Sequence, residues 1–125
     1  MIADIETMRT STNTKNILVR LKTVTGISNW NILCRWALCF SIKQKNLPRL
    51  VDEKLDGVEI DYDILVGKNK TIYTQLLINN LIKHKVELNK RNLVKYLNAH
   101  INRGVNIIYN YKLKEISGLL SSIKK

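Results

Sequence analysis

Residues 20–42 read Arg20-Leu-Lys-Thr-Val-Thr-Gly-Ile-Ser-Asn-Trp-Asn-Ile-Leu-Cys-Arg-Trp-Ala-Leu-Cys-Phe-Ser-Ile42. The first few positions end an amphipathic helix. Ile17, Leu18, Leu21, Val24 and Thr25 recur at helical spacing from a polar start at Ser11 to Asn13, which sets Lys15, Arg20 and Lys22 off the apolar stripe. Gly26 suits the left-handed position that closes such a helix. Ser28 or Asn29 can cap the next one by accepting a hydrogen bond from a first-turn amide. From Ile32 to Ile42 the only charge is Arg35, so the second helix is apolar nearly all round. A helix of that kind has to be covered on several sides, by its own domain and by another subunit.

Working toward the N-terminus, residues 1–13 form an arm whose Ile2, Ile5 and Met8 fit either a short strand or a disordered segment. A strand there, followed by two helices around a glycine turn, gives a ribbon-helix-helix-like N-terminal half. Toward the C-terminus, residues 43–56 form a polar connection with the only proline, Pro48, and end in the turn dipeptide Asp56-Gly57. Val58, Ile60, Tyr62 and Ile64 then alternate with Glu59, Asp61 and Asp63, which predicts one short central strand ended by Gly67. Asn69 or Thr71 starts a helix with Ile72, Tyr73, Leu76, Leu77 and Leu81 on one face. After a polar break at 85–89, Leu93, Leu97, Ile101, Val105 and Ile108 line a last strong helix. Gly104 lies inside it, where it costs about 1 kcal/mol against alanine, and close approach of another backbone would account for it. Ile116, Leu119, Leu120 and Ile123 repeat the helical spacing in a C-terminal extension, residues 110–125.

The expected architecture is therefore mainly α, a compact helical domain of 125 residues with one short central strand or hairpin. A chain of this length hides a limited share of its surface, so self-association is expected to complete the core. Its charge is +11, and residues 52–63 hold six of the ten acids and one lysine, leaving +16 elsewhere. Such a balance suits a polyanion, nucleic acid above all.

The stretch quoted above carries Arg-Leu-Lys, Thr-Gly-Ile, Asn-Trp-Asn and Cys-Arg-Trp-Ala-Leu-Cys in an order that resembles the DndE family, the small subunit of bacterial DNA phosphorothioation systems. His100-Ile-Asn-Arg-Gly104 is a second matching block. Asp56-Gly57 with Val58 to Gly67 resembles the family's central strand and turn. The resemblance spans about residues 15–109. It implies a non-catalytic subunit that binds double-stranded DNA, nicked duplex by preference, through surface lysines. It also implies a homo-oligomer, a tetramer, working beside partner subunits that carry desulfurase, iron-sulfur and ATPase functions.

The candidate DNA-binding residues are Lys15, Arg20, Lys22, Arg35, Lys43, Lys45, Lys68 and Lys70, with Lys83, Lys85, Lys90, Arg91 and Lys95 as a second cluster. Arg35 needs a carboxylate, backbone carbonyls or a phosphate to offset its desolvation: it reaches the surface, pairs with an acid such as Glu59 or Asp61, or touches DNA. Few aromatics lie among these cations, which favours backbone contact with a duplex over base stacking on a single strand. No enzyme is expected. His84 reads as a protonated surface histidine, and His100 as a cap or a subunit contact. Cys34 and Cys39 match neither a redox nor a zinc pattern and read as buried apolar thiols. Two thiolates cannot hold a four-iron cluster, which takes four. Neither cofactor nor metal is expected, and no phosphate loop is present. A repressor reading an operator with a paired strand, and a structural adaptor between larger subunits, are the other two readings. The chain shows no secretory opening, and the apolar run ending at Ile42 is too short to span a bilayer, so a cytoplasmic location away from membranes is expected.

Overall fold

The computed structural model describes residues 5–123, leaving aside the side chains of 113 and 116–123. Ile2, Ile116, Leu119, Leu120 and Ile123 of the sequence argument thus lie outside what is described. The elements run β1 (Thr7–Arg9), α1 (Thr12–Thr25), α2 (Trp30–Ile42), β2 (Glu59–Asp61), α3 (Tyr62–Val66), α4 (Lys70–Lys83) and α5 (Lys90–Ile123). A 3-10 turn at Gly67–Asn69 joins α3 to α4.

Local chemistry sets the first two helices where the sequence put them. Ser11 caps α1, its hydroxyl accepting from the Thr14 amide at 3.1 Å. Gly26 ends it at φ 74 and returns its amide to the Lys22 carbonyl. Asn29 rather than Ser28 caps α2, its side chain accepting from the Asn31 amide. Asn89 accepts from the Asn92 amide at 2.8 Å as α5 begins.

The α5 helix is the pole against which the other elements pack. Leu93, Leu97, Ile101, Val105 and Ile108 are all buried along it. Its main partner is α2, which runs antiparallel: Ala37 meets Gly104, and one turn on Ser41 meets His100 and Arg103. A Cβ placed on Gly104 would overlap the Ala37 carbonyl and stand 2.6 Å from the Ala37 Cα. The glycine is what lets the two backbones touch. Leu33, Cys34, Ala37 and Leu38 of α2 are fully buried beneath this crossing.

The N-terminal arm forms a strand within the described residues. β1 pairs antiparallel with β2, Met8 opposite Ile60 and Arg9 opposite Glu59. The ladder is extended by Tyr62 N–H to Glu6 O, Thr10 N–H to Val58 O and Gly57 N–H to Thr10 O. The other edge of β1 gives its Arg9 N–H to Asn98 Oδ1 of α5.

One expectation is corrected here. The strand read across Val58 to Ile64 stops at Asp61, and Tyr62 opens a helix. Tyr62, Leu65 and Val66 are buried while Ile64 is 56% exposed, an i, i+3, i+4 pattern that belongs to a helix. Tyr62 is tied in by its hydroxyl, 2.7 Å from that of Thr74 on α4.

Candidate nucleic-acid interface

The proposed cations divide by what holds them. Lys22 lies with its ammonium 5.2 Å from the centre of the Trp30 ring, a cation-π contact. Arg20 reaches the Tyr109 hydroxyl at 3.5 Å. Lys70 pairs with Asp63 at 2.8 Å and Lys90 with Glu6 at 3.5 Å, so both have acidic neighbours. Arg35 is half-buried: its Nε donates to the Asn31 carbonyl at 3.4 Å, and its guanidinium packs beside Gly67. Among the described residues it forms no ion pair with Glu59 or Asp61; the Glu59 carboxylate is held by Arg9 at 2.8 Å. The Asn31 carbonyl is an acceptor the sequence had left open. Lys15, Lys43, Lys45, Lys68, Lys83, Lys85, Arg91 and Lys95 are exposed and have no carboxylate partner among the described residues.

Two of the sequence-derived clusters meet. The His84 ring spans the end of α4 and the connection after α2, with Nδ1 2.9 Å from the Asn80 carbonyl and Nε2 3.0 Å from the Lys45 carbonyl. The turn that carries Lys83 and Lys85 is thereby tied to the connection that carries Lys45. His84, read from the sequence as a surface histidine, is half-buried and bridges two backbone carbonyls.

The end of α4 is unusual in one residue. Lys85 N–H returns to Ile82 O at 3.0 Å and Val86 N–H to Leu81 O at 2.9 Å, a paired closure of the helix that turns on a left-handed residue. Here that residue is Lys85, at φ 60, the only non-glycine with positive φ among the described residues. Glycine would be cheaper there by about 1 kcal/mol.

Arg103, which the sequence marked only as part of a matching block, holds the same connection from its other side. Its Nη1 donates to Asn46 O at 2.8 Å, its Nη2 to Ser41 O at 2.6 Å and its Nε to Ser41 Oγ at 2.8 Å. Ser41 Oγ in turn donates to His100 Nδ1 at 2.8 Å, and His100 Nε2 donates to Asn80 Oδ1 at 2.7 Å. Every hydrogen in this relay has an acceptor only if His100 is neutral with its proton on Nε2. Burial, then the Arg103 charge, then His84, lower its pKa from 6.5 to about 4. His100 is fully buried, so its role is internal and not a contact with a second subunit. The polar spacing of Asn80, His100 and Arg103 on otherwise apolar faces was the available signal.

Of the two cysteines, only Cys34 is buried, and burial pushes its thiol up to about 12. Cys39 is half-buried and lines a shallow hollow with Trp36, Phe40 and Lys43. Next to it, Trp36, Phe40, Ile107, Ile108, Tyr111 and Lys112 line a groove of about 350 Å³ between α2 and α5. Trp36, Phe40 and Tyr111 are 48%, 44% and 70% exposed. Among the described residues no three His, Cys, Asp or Glu side chains converge to hold a metal ion, and no helix is long and apolar enough to cross a membrane.

The family described as DNA sulphur modification protein DndE matches residues 7–115. The crystal structure of DndE from Escherichia coli B7A, involved in DNA phosphorothioation modification, is similar at a TM-score of 0.69 and 26% identity, covering 82% of this chain and 94% of that one. A crystal structure of a glycine-to-lysine mutant of DndE, involved in DNA phosphorothioation, is similar at a TM-score of 0.65 and 25% identity, covering 84% and 97%. No curated protein matches the chain.

Proposed function

Because the chain belongs to the DndE family of DNA sulphur modification proteins, we propose that it is a non-catalytic, DNA-binding accessory subunit of a phosphorothioation complex, gripping duplex phosphates and favouring a nick. The observation that carries this reading is the surplus of exposed lysines and arginines without carboxylate partners among the described residues, in a chain of net charge +11. Cations of this sort neutralise phosphates and read no sequence. The sulfur chemistry then belongs to the partner subunits, and this chain supplies a hold on the substrate. The repressor reading is less well supported, since it needs β1 free to pair with a second copy. β1 instead pairs with β2 and gives its Arg9 amide to Asn98.

Competition gel shifts on intact, nicked and palindromic duplexes over a range of salt test it. Binding should be independent of sequence and tightest on the nicked duplex. Log affinity should fall linearly with log salt, by about 0.9 for each phosphate contact. Preference for one palindrome over other duplexes at the same salt would favour the repressor instead, and no binding to any duplex would leave the adaptor.

Self-association belongs to the same proposal, with the groove of Trp36, Phe40 and Tyr111 as its surface, since apolar patches of this kind mark contacts. Light scattering at micromolar concentration should give a mass well above 14.5 kDa, and Trp36→Glu with Phe40→Glu should return a monomer. A wild-type monomer would remove this part of the reading.

A further inference from the structure

Resting on the DNA-binding reading, we propose that the main phosphate-gripping site is a lysine bracket at the C-terminal end of α4, formed by Lys83 and Lys85 together with Lys45 across the His84 ring. The connection carrying Lys43 and Lys45 is pinned twice, by His84 at the Lys45 carbonyl (3.0 Å) and by Arg103 at the Asn46 carbonyl (2.8 Å). Three lysines with exposed side chains are thus carried by backbone that is tied together, and none has a carboxylate partner among the described residues. Glu87, the nearest acid in sequence, forms no ion pair with them among the described residues. By contrast Lys22 is held over Trp30 and Arg20 at Tyr109, so α1 offers a grip that is already partly occupied.

The second observation is the backbone at Lys85. Its left-handed φ of 60 is the position where glycine closes a helix at least cost, yet a lysine stands there. A residue that breaks a local rule with no gain inside the fold points to a use outside it. Lysine near a helix C-terminus also interacts with the helix dipole, and that effect alone would make its removal destabilising. The two explanations therefore predict opposite signs.

The variant Lys85→Gly separates them without risk of misfolding, since it relieves the strained position. The bracket predicts a Tm higher by about 3 °C. It also predicts a salt slope smaller by about 0.9 and, at 0.1 M salt, DNA affinity about tenfold weaker on every duplex. Lys83→Ala should reduce the slope equally, and Lys54→Ala, which removes an exposed lysine set among the acids of residues 52–63, should leave it unchanged. A lower Tm for Lys85→Gly would assign the lysine to the dipole and overturn the proposal. So would an unchanged slope in a wild type that binds duplex, while the broader reading would survive. Failure of the wild type to bind any duplex overturns both.

Discussion

Gly104→Ala is expected to destabilise the protein by about 3 kcal/mol, measured as a lower urea midpoint with an unchanged slope. The sign is what makes the result informative. In an exposed helix the same change stabilises by about 1 kcal/mol, because alanine is the better helix former. Here the new methyl would overlap the Ala37 carbonyl, which is backbone and has no rotamer to yield. Relief requires α2 and α5 to separate, which would loosen Leu33, Leu38, Leu97 and Ile101 together. A Gly104→Ala protein as stable as wild type would mean that the helices do not cross at Ala37.

Stability should also fall in acid through His100. The unfolded imidazole takes up its proton near pH 6.5, the folded one only near 4, so between these values the unfolded state binds more protons. The contribution is intact above about 6.5, declines as the pH drops, and is fully lost below about 4. The difference corresponds to about 3 kcal/mol. Protonation would place a donor on Nδ1, facing the Ser41 hydroxyl that now donates to it, with the Arg103 guanidinium bound to the same hydroxyl. Urea midpoints of wild type and His100→Gln between pH 4 and 8 test this: the variant should be weaker at pH 8 but show a much shallower decline. Parallel curves would assign the acid sensitivity elsewhere.

The outline of the fold was legible because its long helices carry their own periodicity. The line Leu93, Leu97, Ile101, Val105 and Ile108 is buried as its spacing required, and Gly104 marks the close crossing that the sequence suggested. The error at Val58 to Ile64 has a physical source. Alternation holds as far as Tyr62, and the helix that follows is five residues long, too short for a period of 3.6 to show against one of 2. The candidate interface rests on composition. Which cations stay free depends on partners far away in the chain, as when Arg9 takes the Glu59 carboxylate, one of the acids open to Arg35 in the sequence. The joining of two lysine clusters turns on His84 and the Lys45 carbonyl, 39 residues apart, and no local pattern announces a bond to a backbone oxygen.

That α5 follows α2 in the chain has a consequence for synthesis. The strongly apolar α2 leaves the ribosome with its cover, around Gly104, still some sixty residues from being made, which at 5–20 residues per second is roughly 3–12 s. During that interval Leu33, Leu38 and the Trp36 ring have no partner from α5, and β1 lacks the Asn98 that receives its outer amide. Contacts this distant in sequence delay folding until both ends are present. A nascent chain stalled with residue 90 at the tunnel exit should be cut readily by protease across 30–42, and one stalled after residue 112 has emerged should resist. The newly made chain therefore passes through a sticky stage, and the timing of α5's emergence decides how long that stage lasts.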